Sequence, residues 1–511
     1  MKIPPYRDWP LWLAILPSLL LYFIPIYEGD VMAIMALPSY YSIRLWLSMG
    51  RPVLYFLMNP LMAFGNLIGP FAMSYVMATI YIITFAGVLF QVRRVLALVM
   101  PWRVATVTVA IIGLHFHMYE VRTWPGNNAL LAILVVTPVF LHLWNSQRTP
   151  RAVFAWILAA AFLALNIHQT GAFFVAVWLG LLLIHAIYGK DSFGVSRFKT
   201  YWLPLASGFA GACILYGLEI YLIRRGLGFI KRGSSTSLAE SLQAYLQTFA
   251  DWAFNPVPVP RPLVNFPRLG HVFTPTTTAV LAGLAALLIA LFVKRVPRPG
   301  LALLAVVMVF LVSIGALAPV LFSDGSMTSR ILFGPLVALW GGAALILSQF
   351  QWRHPRTLRL ATSAAILVIA LIHTGGFYLT LRNKHIPVTG AEQIRSGLLW
   401  NWYKPGDTII FLADETEMKS IGWSDAGYNL YSFIWGVRGQ LCHILRPMGF
   451  PGVPSMEYRM NDVDYGTTVC GDRLVCRRDS DTILIQGKVF AREQQNIEQA
   501  LWKGIARAFK E

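Results

Sequence analysis

Glu28 and Asp30, in the run Tyr27-Glu28-Gly29-Asp30, follow the first apolar stretch of the chain directly. Of 24 acidic residues in 511, only nine precede residue 382, so two carboxylates this close together at a hydrocarbon boundary call for a reason. Ionisable side chains at membrane depth are costly and are usually kept for work. A carboxylate fixed beside a hydroxyl takes its proton as the oxygen attacks, a contribution of about 10²–10⁴-fold. One such base without a second, nucleophilic carboxylate implies direct displacement, with inversion at the attacked carbon. Asp30 immediately precedes an apolar helix expected over 31–37, whose N-terminal dipole favours the ionised form. It is therefore the first choice as base and Glu28 the second. The plain alternative for both is a polar helix end.

Cations are the next requirement, because a departing phosphate needs donors and arginine grips phosphate oxygens in a bidentate way. Gly50-Arg51-Pro52 sets a guanidinium at a break between two apolar stretches. Arg122 and Arg330 are the other two candidates, both expected on the same outward face, and snorkelling to headgroups explains any one of the three equally well. Glu120, in Tyr119-Glu120-Val121-Arg122, either positions an acceptor or pairs with Arg122. His168-Gln169 lies at a tight turn between two apolar runs, where it bonds sugar or phosphate or simply holds the turn. Glu219 is close enough to the charged end of its run to reach the interface. His115 and His117 face different directions on a helix, so zinc is not expected, nor is any other metal or cofactor. Trp124, Trp252, Trp400, Trp402 and Tyr403 are of a kind that stacks on sugar rings, although an interfacial aromatic belt accounts for each.

The elements that must carry these residues are membrane helices. The chain is 56% hydrophobic and 13% charged with a mean hydropathy of +0.58, the composition of a polytopic membrane protein. Its net charge of +18 does not point to nucleic acid, because residues 1–381 hold 26 Lys+Arg against nine acids and this excess sits in short loops between apolar runs. Runs of spanning length are 11–27, 71–91, 101–118, 127–145, 152–168, 171–188, 201–223, 277–295, 299–322, 330–349 and 358–381. A twelfth, 53–69, contains Pro60 and Gly65 and is followed by Pro70. Leaving it uncrossed puts all six basic loops (Lys2/Arg7, Arg93/Arg94/Arg103, Arg148/Arg151, Lys190/Arg197/Lys199, Lys294/Arg295/Arg298 and Arg353/Arg356/Arg359) on the cytoplasmic side. The expectation is therefore eleven spans, with 38–49 and a broken 53–69 as juxtamembrane helices. The outward loops then gather Glu28, Asp30, Glu120 and Asp324. The long loop 224–276 opens with Arg224-Arg225 and Lys231-Arg232, against the charge rule, and contains an interfacial helix pattern near 238–252.

From Arg382 the composition becomes that of a soluble unit, so the division is 1–381 membrane domain and 382–511 small extracytoplasmic α/β domain. Strands are expected over Thr408–Leu412 and Thr482–Ile485, and helices over Gly390–Tyr403, Asp425–Val437 and Glu493–Phe509. Cys470 and Cys476 have the spacing of a hairpin disulfide in an oxidising compartment, Cys442 falls in the same segment with the pairing among the three open, and Cys213, inside an apolar run, reads as a packing residue. A zinc site is the rival for Cys470 and Cys476, without a paired Cys-x-x-Cys.

An acidic pair after the first span, two juxtamembrane helices and the Gly50-Arg51-Pro52 run resemble the GT-C superfamily of glycosyltransferases. The nearest likeness is to bacterial O-antigen-modifying glucosyltransferases of the serotype-converting type. It covers roughly residues 10–350 in organisation, with Ser329-Arg330 a weaker point of likeness. Those enzymes usually carry adjacent acids, whereas Gly29 separates them here. The resemblance implies a polyprenyl-phosphate sugar donor, a glycan or lipid-linked glycan acceptor and a periplasmic active site in the bacterial inner membrane, while the basic loops put the N-terminus in the cytoplasm and the C-terminus outside. Rival readings are a ligase or polymerase using a lipid-diphosphate donor, which Arg224–Arg232 would serve, and a lipid or solute transporter. The transporter reading calls for an inverted repeat or ionisable groups at mid-membrane, and neither is expected here. A sensor built on the C-terminal unit is the last alternative.

Overall fold

In a computed structural model the described residues are 8–24, 51–115 except 69, 118, 122, 127–188 except 147, 192–227, 299–316, 333–348, 360, 362–378, 381, 408–413, 455–460, 475–479 and 482–486. They form apolar helices followed by one small sheet. The helices are α1 (Trp9–Phe23), α2 (Pro52–Ile68), α3 (Pro70–Leu96), α4 (Trp102–Gly113), α5 (Asn127–Asn145), α6 (Pro150–Ile167), α7 (Gln169–Tyr188, with a turn at Phe173), α8 (Ser192–Leu227), α9 (Pro299–Gly315), α10 (Phe333–Ser348) and α11 (Thr362–Tyr378). Within α3, α5, α6, α7 and α8 lie five segments long and apolar enough to cross a membrane; the other helices described are apolar and shorter.

Composition dictates this form. In hydrocarbon the backbone has no water to bond, so a helix, which satisfies its own N–H and C=O groups, is the available span. Stray hydroxyls are dealt with locally. Thr106, Thr108, Ser313 and Thr374 each donate to the carbonyl four residues back. Apolar side chains such as Leu67 (83% exposed) and Ile214 (71% exposed) cover the outside, as lipid contact permits and water does not. At the start of α6, Thr149 caps Ala152 N and Pro150 occupies a first-turn position where its missing N–H is not needed.

Two expectations are corrected. Pro60 does not break α2, which runs unbroken for 17 residues. α8 is far longer than 201–223, and it absorbs Arg197 and Lys199, expected in a loop, because a helix can continue past the hydrocarbon into the headgroup layer.

Helix directions follow from side-chain contacts. Asp8 pairs with Arg93 at 2.6 Å, Trp12 packs on Phe90, and Tyr22 bonds Thr79 and stacks on Tyr75. α1 and α3 are thus antiparallel, and residue 24 leaves α1 at the end where α3 begins. Arg93, between the rings of Phe90 and Trp102, marks the opposite end. Gly334 of α10 packs near Phe174 and Gly341 near both Leu181 and Leu96, so α10 runs alongside α7 in the same direction. The C-terminal end of α3 therefore lies toward the C-terminal half of α7. The turn between α6 and α7 falls at the other end, with Tyr22 and Tyr75. At the Arg93 end, the Tyr201 hydroxyl donates to the Ser146 and Arg148 carbonyls and ties α8 to the α5–α6 connection.

Small residues set the closest approaches, since helices in lipid associate through packing rather than water exclusion. A Cβ on Gly171 would meet the Ala129 carbonyl, and one on Gly208 would meet Ile157 and the Phe154 carbonyl.

The sheet has the order β2-β1-β4-β3, where β1 is Thr408–Ala413, β2 Ser455–Met460, β3 Val475–Asp479 and β4 Thr482–Gln486. β1 pairs parallel with β2 and β4, and β3 pairs antiparallel with β4. Cys476 lies on β3 opposite Ile485. Strands β1 and β4 are the two expected from sequence; β2 and β3 were not. Cys470 and the three expected C-terminal helices lie outside the described residues, as do the apolar run 277–295 and the helices over 31–37, 38–49 and 238–252.

Gly208→Leu should destabilise the α6–α8 contact by about 1–3 kcal/mol. Gly217→Leu, with nothing within 4 Å of its Cβ position, should leave the thermal unfolding midpoint in detergent unchanged.

Candidate functional site

Among the described residues, two polar clusters in the apolar interior each hold one of the arginines singled out by sequence. The first is built where α6 ends. His168 takes an extended conformation (φ −161°, ψ 122°), which stops α6 and restarts the chain as α7 in the opposite direction. Its carbonyl accepts from Gly171 N and Ala172 N, and its Nδ1 lies 2.7 Å from Thr170 Oγ1. The ring is buried, so within this cluster His168 shapes the turn. Gln169, the next residue, accepts from Arg51 Nε at 3.4 Å through Oε1 and donates through Nε2 to the Tyr216 hydroxyl on α8. One turn further along α8, Glu219 Oε2 accepts from Asn166 Nδ2 at 3.0 Å. Arg51, immediately before α2, and the His168-Gln169 turn are therefore brought together, and α8 adds Tyr216 and Glu219.

The second cluster surrounds Arg122, which is 0% exposed. α1 tightens to a 3₁₀ turn over Leu16–Leu19, where Pro17 contributes no N–H, so carbonyls of the preceding turn lose donors. Arg122 Nη2 donates to one of them, Ala14 O, at 2.6 Å, and to Gly113 O at 2.8 Å, a carbonyl in the last turn of α4. Nη1 donates to Ser18 Oγ. The guanidinium carbon lies 4.2 Å from the Phe85 ring centroid and 5.5 Å from that of Phe377. His373, stacked on Phe377, is buried beside Arg122, His115 and the Leu114 backbone.

This placement corrects two expectations. The Arg122 side chain is not offered outward from the α4–α5 connection; it reaches between the Asp8–Arg93 and Tyr22–Tyr75 ends of the α1–α3 pair, because the carbonyls freed at two helix breaks draw it inward. Ionisable groups do occur in the middle of the bundle, in the form of Arg122 and His373. Both Nη atoms are spent on protein acceptors, so the cluster acts as a clasp joining α1 to α4 and lying against α3 and α11.

Glu28, Asp30, Glu120 and Arg330 lie outside the described residues, as do His117, Asp324 and the aromatic residues Trp124, Trp252, Trp400, Trp402 and Tyr403. Among the described residues there is no group of three or more His, Cys, Asp or Glu arranged to hold a metal. Sequence reasoning missed Asn166 and Tyr216 in the first cluster, and Ser18, Phe85, His373 and Phe377 in the second. Asn166 had a signal, an amide inside an otherwise apolar run. Ser18 and the two phenylalanines had none, since each looks like an ordinary member of a span. No protein-family model, characterised protein or solved structure matches the chain.

Arg122→Ala should cost about 3 kcal/mol or more, from a cavity plus unpaired carbonyls, and Arg122→Lys should not restore it, because one ammonium cannot reproduce the planar fork. Thermal unfolding in detergent reads both. Arg51→Ala, on a partly buried side chain at the bundle end, should shift the midpoint far less.

Proposed function

We propose that this chain is an integral-membrane inverting glycosyltransferase of GT-C-like organisation that uses a polyprenyl-phosphate sugar. Asp30, with Glu28 as the alternative, takes the proton from an acceptor hydroxyl on a cell-surface or lipid-linked glycan. The hydroxyl oxygen bonds to the anomeric carbon as the bond from that carbon to the phosphate oxygen breaks. Polyprenyl phosphate leaves with the bonding pair, its charge held by Arg51 and Arg330. Glu120 contributes to acceptor binding. Residues 1–381 form the catalytic membrane domain with eleven spans and a cytoplasmic N-terminus, and 382–511 form a periplasmic α/β domain that helps hold the acceptor.

One observation carries this reading. Arg51 is bonded to Gln169 at the end of the bundle where α1 releases the chain toward Glu28 and Asp30. A candidate phosphate-binding cation thus stands at the end of the bundle from which the chain continues toward the two candidate bases. His168 serves this site as the residue that turns the chain, and Arg122 is assigned to holding the helices. The four-stranded sheet after the last apolar helix supports a separate C-terminal unit. The transporter reading gains little from Arg122, whose Nη donors are already engaged.

Transfer from synthetic polyprenyl-phosphate sugars tests the chemistry. The variant lacking the base, Asp30→Asn or Glu28→Gln, should lose about 10²–10⁴-fold in rate; full activity in both variants would sink the assignment. Orientation has its own test in Arg94→Cys, an exposed position on the last turn of α3, in a background without the native cysteines. An impermeant maleimide should label it only after the inner membrane is opened, and labelling of sealed cells would reverse the topology.

A further inference from the structure

Resting on that reading, we propose that Asn166 and Glu219 form a sugar-hydroxyl subsite beside the Arg51–Gln169 pair, so that the donor's phosphate and its sugar ring are held by different side chains. Asn166 is 2% exposed and lies in the last turn of α6. Its amide nitrogen donates to Phe162 O at 3.1 Å and to Glu219 Oε2 at 3.0 Å, which fixes the orientation of the amide. Oδ1 is then a buried acceptor that takes no hydrogen bond from the described residues. A buried, unsatisfied carbonyl costs about 1–3 kcal/mol, and here it sits next to a carboxylate in an apolar bundle. A structural pin between α6 and α8 needs neither feature. One neutral amide–hydroxyl contact, like that of Gln169 with Tyr216 one turn away, would join the helices without burying part of a charge.

The two surplus acceptors, Oδ1 of Asn166 and the remaining lone pairs of Glu219, call for a ligand rich in O–H donors. The neighbouring donors have a different character. Arg51 is a cation already oriented by Gln169, and it suits an anion. Asn166 and Gln169 are three residues apart across the α6–α7 turn, and Tyr216 and Glu219 are three apart on α8, so the acceptor pair and the Arg51–Gln169 pair are adjacent. A molecule with a phosphate joined directly to a polyhydroxylated ring matches that division. A bare lipid phosphate would use only the Arg51 half.

The test uses the full-length protein in detergent and compares binding of polyprenyl phosphate with binding of polyprenyl-phosphate glucose, galactose and mannose. Glu219→Gln is nearly isosteric and still accepts from Asn166, so its unfolding midpoint should stay at the wild-type value. It should weaken at least one sugar-bearing lipid by about ten-fold or more and leave polyprenyl phosphate binding intact. Asn166→Asp, which keeps an acceptor at Oδ1 but repels Glu219, should weaken the same lipids. Arg51→Ala should weaken all of them. Equal loss of bare and sugar-bearing lipids in Glu219→Gln, or no loss of either, would overturn the subsite while leaving the glycosyltransferase reading standing. If the wild type binds none of the sugar-bearing lipids, the glycosyltransferase reading itself fails, and the subsite falls with it.

Discussion

A break in a helix buried in hydrocarbon frees carbonyls that no water can reach, and the packing of this bundle depends on how two such breaks are repaired. α1 tightens at Leu16–Leu19 and α4 ends at Gly113 after only three turns. Arg122 serves both, and the rings of Phe85 and Phe377 accept the face of its charge. Delocalised charge and several N–H groups in one plane let a single side chain do this where a lysine would leave acceptors unmet. α1 is thereby held in the bundle at mid-depth by Arg122 and at one end by the Asp8–Arg93 pair. Its other end is left to deliver the chain toward Glu28 and Asp30.

The same accounting explains why the second polar cluster stands out. Several hydroxyls in the described spans bond back to their own helix, which costs nothing in packing and does no further work. Asn166, Gln169, Tyr216 and Glu219 instead reach between α6, α7 and α8. Gly208 and Gly211 bring α8 close enough to α6 for short polar side chains to meet. Close packing by small residues and a transverse polar network are therefore linked: without the first, the second could not form.

What could be read from the sequence divides along physical lines. Ten of the eleven apolar runs are helical within the described residues, because in hydrocarbon apolar length alone decides the form. The central strands β1 and β4 are unbroken apolar runs and could be read. β2 and β3 are edge strands carrying Glu457, Arg459, Arg477 and Arg478, the charges that protect a sheet edge and also hide its pattern. Arg51 and Arg122 have equal credentials in sequence, each beside a turn and each flanked by apolar segments. Only three-dimensional bookkeeping separates them, since the carbonyls that bind Arg122 are freed by a proline and a helix end more than a hundred and about nine positions away, respectively.

The antiparallel pairing of α1 and α3 also constrains the stretch between them. If both cross the membrane, an even number of crossings must lie between residues 24 and 70. α2, at 17 residues, is about 25 Å long and apolar enough to tempt a count of one. It could cross only together with a second crossing in 25–50. A spanning helix needs about 20 predominantly apolar residues, and that stretch contains Glu28, Asp30, Pro38 and Arg44 spread along its length. Zero crossings is the even number that the composition of this stretch favours and that the proposed topology uses. On the proposed topology the chain leaves α1 and enters α2 on one face, which is the condition for assigning the two carboxylates and Arg51 to one site.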